Sequence, residues 1–169
     1  DKYAFENAIY VDAEHQLSDR LTVRYGIRFS SFLRLGQDLN IYDNDNPVNF
    51  NEELQIYEEA DPIGVESFKR SEVIKSFANL EPRLALAYQL NDNTSIKASY
   101  NRMSQYLHLL SNTTSPTPLD VWTPIGKHVK PQLLDQYAIG YFKTINDNNY
   151  SLEVESFYKT IKNRIDYID

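Results

Sequence analysis

The 169-residue sequence has no cysteine and no apolar run that approaches the roughly 20 residues a membrane-spanning helix requires. The absence of cysteine excludes a disulfide scaffold, a thiol nucleophile and thiolate metal centres. Basic residues are outnumbered, with 17 Lys and Arg against 24 Asp and Glu and a net charge of -7. Because a nucleic-acid interface needs a basic stripe to displace counterions, this balance argues against a nucleic-acid partner.

The N-terminal residues also lack a recognisable signal. Residues 1–5 have no basic start, and no apolar core with a small-residue cleavage site follows them. We therefore expect either a cytoplasmic protein or one whose N-terminal segment has been removed. The low mean hydropathy is typical of soluble proteins, but a membrane barrel alternates lipid-facing and lumen-facing residues and is also polar on average.

Aromatic residues are abundant, with 13 Tyr and 8 Phe, and apolar residues recur with a period of two. This period predicts β-strands with one apolar and one polar face. Short polar turns separate the alternating runs into three hairpins. The predicted strands lie at about 3–17 and 21–34, 80–90 and 96–101, and 134–141 and 150–158, with turns at 18–20, 91–93 and 146–149.

Two longer stretches interrupt the alternation. Residues 36–76 are rich in Asp, Asn and Glu, and residues 103–132 combine a possible short helix at 104–110 with a proline-rich segment at 115–124. A loop of about 40 residues exceeds what a compact domain usually contains without a function for it. Pro82 lies within a predicted strand and is expected to mark a bulge or a strand end, because proline cannot donate to a ladder.

These features together favour an all-β fold, an antiparallel up-and-down transmembrane β-barrel segment. The longest of the predicted strands, at about 11 to 15 residues, are long enough to cross a bilayer at a tilt. Short turns at one end and long loops at the other are typical of outer-membrane barrels, so the turns are expected in the periplasm and the loops at 36–76 and 103–132 outside the cell. The residues expected to face lipid are Tyr25, Ile27, Phe29, Leu84, Leu86, Ile139 and Leu152. The residues expected to face the lumen are Arg24, Arg28, Arg83, Lys97, Glu153 and Glu155. A soluble antiparallel sandwich is the alternative. Six strands cannot close a spanning barrel, whose minimum is about eight, so residues 1–169 are expected to be part of one larger barrel domain.

Several segments resemble TonB-dependent outer-membrane receptors. The resemblance covers nearly the whole chain and is strongest in the segment LDVWTP at 119–124, preceded by QYLHLLSNTT at 105–114 and followed by KPQ at 130–132, which is similar to the subgroup common in Bacteroidetes. Four runs are similar to barrel strands of the family: LTVRYGIRF at 21–29, EPRLALAY at 81–88, SIKASYNR at 95–102 and LEVESFYK at 152–159.

The resemblance implies a bacterial outer-membrane barrel of roughly 22 strands that is plugged by an N-terminal domain. Such a receptor imports a scarce ligand with energy delivered through TonB. The implied partners are the rest of the barrel and its plug, the TonB complex, outer-membrane lipid and a surface lipoprotein. Neither a plug nor a TonB box nor a terminal barrel strand ending in an aromatic residue occurs within this sequence. The resemblance does not identify the ligand, which is a siderophore, a glycan, a peptide or a vitamin.

The alternative function is a structural or adhesive surface β protein whose loops bind a partner. An enzyme is not expected, because the three histidines, His15, His108 and His128, form neither a metal-binding nor a catalytic motif. No cofactor is expected. The acidic residues at 38–61 lack the spacing of a calcium loop and are interpreted as a solvated loop.

Four residues are the candidate ligand contacts in the loops and the lumen: Tyr106, His108, Trp122 and Arg28. For Tyr106 and Trp122, the alternative is that they anchor the loop against the barrel rim. For Arg28 and its neighbours Arg24 and Arg34, the alternative is cross-strand pairing with the acidic residues of the preceding strand. These acidic residues are Glu6, Asp12 and Glu14.

Overall fold

A computed structural model describes residues 2–110, 121–145 and 150–165. The described strands are β1 (Tyr3–Ser18), β2 (Leu21–Leu35), β3 (Leu39–Ile41), β4 (Val48–Asn51), β5 (Ile56–Glu59), β6 (Gly64–Glu66), β7 (Val73–Asn91), β8 (Thr94–Gln105), β9 (Leu107–Leu110), β10 (Val121–Pro124), β11 (Gln132–Ile145) and β12 (Tyr150–Lys162), with a short 3-10 turn at Asp43–Asp45. No helix in the described part of the chain is long and apolar enough to cross a membrane.

The six long strands form one antiparallel sheet in the order β1-β2-β7-β8-β11-β12. They contain 12 to 19 residues each, whereas ordinary globular strands have about 5 or 6. Each long strand pairs with the long strand that precedes or follows it in the chain. This order confirms the predicted all-β, antiparallel up-and-down arrangement.

Two of the predicted turns close hairpins with two-residue connections, at 19–20 and 92–93. Polar side chains stabilise both, because Ser18 Oγ accepts from the backbone N–H of Leu21 at 3.1 Å and Asn91 Oδ1 accepts from that of Asn93 at 3.1 Å. The third predicted turn, at 146–149, lies outside the described residues. The short turns therefore all belong to one end of the sheet, as far as it is described.

The strand register sorts the side chains into two faces. Tyr25 lies opposite Leu84, which lies opposite Tyr100, and all three belong to what we call the apolar face. Arg24 lies opposite Ala85 on what we call the polar face. The residues predicted to face lipid all share the apolar face: Tyr25, Ile27, Phe29, Leu84, Leu86, Ile139 and Leu152. The residues predicted to face the lumen all share the polar face: Arg24, Arg28, Arg83, Lys97, Glu153 and Glu155.

The prediction that Pro82 marks a bulge or a strand end was wrong. Pro82 pairs with Ile27 in an unbroken register, and β7 continues through it. The β7–β8 pairs do end at Arg83 and Asn101, immediately beside the proline. Because proline has no N–H, it can lie within a strand at the point where one of the two neighbouring ladders stops.

The two long connections contain strands of their own. In the first connection β3 pairs with β6 and β4 with β5, and β7 begins at Val73, earlier than the alternation predicted. In the second connection β9 pairs with β10. The predicted helix at 104–110 was therefore wrong: β8 ends at Gln105 and the remaining residues alternate between buried and exposed side chains as a strand does. Most of the proline-rich segment, 111–120, lies outside the described residues.

The buried apolar core of the described residues is small and lies on the polar face near the long connections. Phe32, Tyr106 and Ile125 form it, and Phe77 and Val129 pack against it. Phe32 shares the polar face with Arg24 because both occupy even positions of β2. The core therefore joins the sheet to the second long connection.

Candidate functional site

The candidate site is the β9–β10 hairpin and the part of the polar face that it covers. In the hairpin His108 lies opposite Thr123 and Leu109 lies opposite Trp122. Tyr106 and His108 are buried, whereas Leu107, Leu109 and Trp122 are exposed. Because side chains alternate along a strand, the hairpin presents one side to the sheet and the opposite side away from it.

An aromatic stack attaches the hairpin to the sheet. The rings of Tyr106 and Phe32 are nearly parallel, with an interplanar angle of 14° and centroids 5.2 Å apart. Ile125, which follows β10, is fully buried, and its backbone N–H donates to the Tyr106 carbonyl at 2.9 Å. Burying an apolar side chain of this size stabilises by about 1.5 to 3 kcal/mol, so this contact is a substantial part of the attachment.

A polar cluster, which we call the Glu81 network, surrounds the Tyr106 hydroxyl and has the buried residues Ser30, Glu81 and Tyr106 at its centre. It consists of Arg28, Ser30, Asn79, Glu81, Ser104 and Tyr106. The Glu81 carboxylate accepts from Ser30 Oγ at 2.6 Å and from Ser104 Oγ at 2.5 Å. Since the single Ser30 hydroxyl hydrogen points to the carboxylate, the Tyr106 hydroxyl donates to Ser30 Oγ at 2.6 Å. Asn79 Nδ2 in turn donates to the Tyr106 hydroxyl at 2.9 Å.

Arg28 connects this network to the open part of the polar face. Its guanidinium lies 3.8 Å from Glu81 and 3.8 Å from Glu6, and Arg24 pairs with Asp12 at 3.0 Å. The predicted cross-strand charge pairing is therefore confirmed for Arg24 and Arg28. Arg34 is different: it is buried and donates to the Tyr3 carbonyl at 3.0 Å.

Beside these pairs the polar face has an open depression of about 620 Å³, lined in part by Arg24, Arg28, Arg83 and Asn101. Arg83 is exposed, and neither its guanidinium nor the Asn101 amide has a hydrogen-bond partner among the described residues. The depression therefore offers free donors to a polar solute or to a protein segment.

His108 is held on the buried side of the hairpin. Only 6% of the residue is exposed, and its Nε2 has no hydrogen-bond partner among the described residues. Burial lowers the pKa of His108, because a charged imidazolium loses its hydration there. The neutral form is therefore favoured in the docked hairpin.

The two long connections contact each other beyond the hairpin. Lys127 Nζ lies 2.7 Å from Asp45 Oδ1, and the rings of Tyr42 and His128 meet edge to face with centroids 5.6 Å apart. We call these two contacts the clasp. The hydrogen bond from Lys127 lowers the pKa of Asp45, which therefore stays ionised under mildly acidic conditions. The clasp joins the 3-10 turn of the first connection to the segment that follows β10.

The four predicted site residues do not form a single cluster. Tyr106 and Arg28 belong to the same network, His108 lies on the buried side of the hairpin, and Trp122 lies on its opposite, exposed side. Glu81, Ser30, Asn79 and Ser104 were not predicted. In the sequence, each of these residues is simply a polar side chain within a barrel-like strand. Which of them lie close together depends on the register of the paired strands, which the sequence does not show.

A sheet of long antiparallel strands, with one exposed apolar face, one polar face, short turns at one end and long connections at the other, defines the wall of an outer-membrane β-barrel. The family model described as TonB dependent receptor-like, beta-barrel matches residues 1–169. The chain belongs to this family of outer-membrane receptors, which are transporters rather than enzymes. No curated protein and no solved structure matches the chain.

Proposed function

We propose that residues 1–169 form part of the wall and the extracellular connections of a receptor that imports a scarce solute with energy delivered through TonB. The family match supports nutrient import across the outer membrane and contact with a plug and TonB. The segment around LDVWTP supports the Bacteroidetes type. In that setting a surface lipoprotein is a further partner of the complete receptor, and lipid surrounds its apolar face.

The observation that carries the proposal is the docking of β9–β10 on the polar face. In a barrel of this class the polar face lines the lumen. A hairpin that packs on this face narrows the mouth of the barrel. Its free side, with Leu107, Leu109 and Trp122, then faces the path of an incoming solute.

The candidate residues take different roles in this arrangement. Tyr106 anchors the hairpin, and buried, neutral His108 packs beneath it. Trp122, which is 60% exposed, offers a flat ring to an apolar or ring-shaped part of the solute. Arg28, half-exposed beside the lumenal depression, interacts with polar groups that pass further in.

The complete receptor in its native membrane tests this function. Comparing spent medium from the wild type and a deletion strain identifies the solute that is no longer taken up. We expect uptake to require TonB and to weaken in a Trp122→Ala receptor, because the ring contact is lost. Tyr150→Ala is the matched control, since it removes an exposed aromatic residue beside the opposite end of the sheet.

An adhesive protein would give the opposite result. Its deletion would change attachment to a partner surface, leave solute uptake unchanged and make no difference in a strain without TonB. Unchanged uptake in the Trp122→Ala receptor, at the same amount of folded protein, would contradict the role of the hairpin.

A further inference from the structure

The apolar face carries an ion pair near the end of the sheet that leads into the long connections. Arg102 lies opposite Asp135, directly beyond the pair of Tyr100 and Tyr137 on the same face, so the alternation of β8 and β11 places the ion pair on the apolar face. Arg102 Nε lies 2.9 Å from one Asp135 oxygen, and Nη2 lies 3.0 Å from the other. The Tyr100 hydroxyl donates to the same carboxylate at 2.7 Å. The charge of Asp135 is therefore neutralised within the wall.

A row of three tyrosines, which we call the tyrosine row, runs beside this ion pair. Tyr137 lies opposite Tyr100 on one side and opposite Tyr158 on the other, so the three side chains cross β8, β11 and β12 at one level. The rings of Tyr100 and Tyr137 have centroids 4.9 Å apart, and Tyr137 and Tyr158 are exposed. Tyrosine is enriched where a membrane meets water, because its ring is apolar and its hydroxyl is polar. The tyrosine row is therefore typical of the border of a membrane-spanning band.

The height of the uncharged band on this face supports such a border. At the turn end of the band, Lys143 lies opposite Thr94. Between this level and the ion pair, the side chains that β8 and β11 place on the face are all uncharged: Ile96, Ala98, Tyr100, Tyr137, Ile139 and Tyr141. From Lys143 to Asp135, at about 3.4 Å per residue and a tilt of about 40°, β11 rises by about 20 Å along the membrane normal. Since the apolar band of an outer-membrane barrel is about 25 Å tall, the ion pair lies at the border of the band rather than in hydrocarbon.

Positive charge remains at this border after the ion pair has formed. Lys162 lies opposite Leu133, on the same face as Asp135 and one step closer to the long connections. It is exposed, and none of the salt bridges among the described residues includes it. Arg102 binds Asp135 through Nε and Nη2, so its Nη1 keeps two N–H donors without a partner in the described part of the chain. A fixed guanidinium edge and an ammonium group therefore border the tyrosine row, and the one carboxylate between them is already paired.

We propose that Arg102 and Lys162 bind the phosphate of a lipid headgroup in the outer leaflet, while the acyl chains of the same lipid lie along the apolar face. The inference rests on the proposed function, in which this face meets lipid. Because hydrocarbon covers the band directly below the tyrosine row, the headgroups of those lipids lie at the level of the two cations. A guanidinium edge recognises phosphate oxygens through charge-assisted hydrogen bonds, and lysine adds a point charge. Asp135 and Tyr100 hold the guanidinium in position.

Native mass spectrometry of the complete receptor in detergent tests the recognition of phosphate. The probes are lipid A and the same lipid after removal of its phosphates. We expect lipid A to bind at least about tenfold more tightly, which is the effect of one hydrogen bond to a charged group. A Lys162→Gln receptor should lose most of this preference. Lys143→Gln is the matched control, because it removes the same side chain from the same face at the opposite border, and it should keep the preference.

Arg102 is tested together with Asp135, since replacing Arg102 alone would leave the carboxylate without its cation. An R102Q/D135N receptor removes both charges and keeps two side chains that can hydrogen-bond to each other, and it should also lose most of the preference for lipid A. Equal binding of the two lipids by the wild-type receptor, or equal losses in the Lys162→Gln and Lys143→Gln receptors, would overturn the proposal. Complete displacement of lipid A by millimolar inorganic phosphate would also overturn it, because the site would then hold a free anion rather than a lipid.

The lipid contact of the face is tested separately from the headgroup site. Ser156 lies opposite Ile139 within the uncharged band, and a Ser156→Cys receptor can carry a spin label there. In phosphatidylcholine vesicles we expect the label to collide more often with oxygen, which concentrates in hydrocarbon, than with a water-soluble nickel complex. The reverse result would contradict the proposed function and the headgroup site together. A label in hydrocarbon without any preference for lipid A would contradict the headgroup site alone.

Discussion

Replacing Tyr106 by Phe isolates the contribution of one buried hydroxyl to the docking of the β9–β10 hairpin. The ring and its stack on Phe32 remain, but the two short hydrogen bonds of the hydroxyl are lost, with Ser30 Oγ at 2.6 Å and with Asn79 at 2.9 Å. The longer contacts, with Ser104 Oγ at 3.3 Å and the Ser30 carbonyl at 3.4 Å, add less. Each of the two short bonds contributes about 0.5 to 1.5 kcal/mol net, so we expect the docked hairpin to lose about 1 to 3 kcal/mol. The upper half of this range applies because buried Ser30 then lacks a donor.

Hydrogen exchange in the complete receptor measures this loss. Amide protection in β9 should fall by about 5- to 150-fold, since each 1.4 kcal/mol corresponds to a factor of ten. Protection in the β7–β8 turn should not change, because the network does not extend there. Tyr137→Phe is the matched control: Tyr137 is exposed, and its hydroxyl has no hydrogen-bond partner among the described residues.

Two results would contradict this role of the Tyr106 hydroxyl. Equal exchange of β9 in the Tyr106→Phe and Tyr137→Phe receptors would mean that the hydroxyl contributes nothing to docking. Faster exchange throughout the six-stranded sheet would mean that Tyr106 stabilises the wall rather than the hairpin.

Leu86→Arg should lower the free energy of unfolding of the refolded barrel by about 2 to 4 kcal/mol if Leu86 lies near the membrane midplane, because its face is expected to meet lipid. Ala85→Arg, on the polar face, should cost far less. Equal losses of unfolding free energy in urea titrations would contradict the assignment of faces. Asp92→Cys should resist an impermeant maleimide on intact cells whereas Glu53→Cys reacts, and reversed labelling would contradict the predicted sidedness. Because burial lowers the pKa of His108, protonation favours the undocked hairpin, so protection of β9 should fall as the pH drops below the ordinary histidine value of about 6.5. In a His108→Phe receptor, the amide protection of β9 should no longer fall with pH in this range. If it still falls, a titrating group other than His108 is responsible. Residues 1–169 expressed without detergent should aggregate, because within the described part of the chain the outer edges of β1 and β12 and the apolar face are uncovered. A soluble, cooperatively melting monomer would contradict the barrel.

The sheet could be predicted because its signals are local. The long strands alternate between apolar and polar residues, over more than ten positions in β1 and β2, and polar turns such as Asp92-Asn93 separate consecutive strands. A one-residue slip would move every side chain to the opposite face, so a strong alternation also determines which residues share a face. This is why the predicted apolar and polar sets agree with the register.

The second connection was predicted less well because its structure depends on distant residues. Residues 104–110 contain leucines at spacings that suit a helix as well as a strand. The deciding contacts are with Phe32 and Ser30, more than seventy residues earlier in the chain. Short apolar segments of this kind follow their tertiary partners rather than their own propensity. The Glu81 network was missed for the same reason, since Ser30, Glu81 and Ser104 belong to three different strands.

The roles of Tyr106 and Trp122 follow from the geometry of one small hairpin. From the sequence alone, the role of each residue is open between ligand contact and loop anchor. In β9–β10 they take opposite sides: the Tyr106 hydroxyl is part of a buried network, whereas Trp122 is 60% exposed. A hairpin can hold an exposed tryptophan steady at the mouth of a barrel only if its other side is firmly attached. The Glu81 network beneath Tyr106 is therefore what makes an exposed Trp122 useful for recognition.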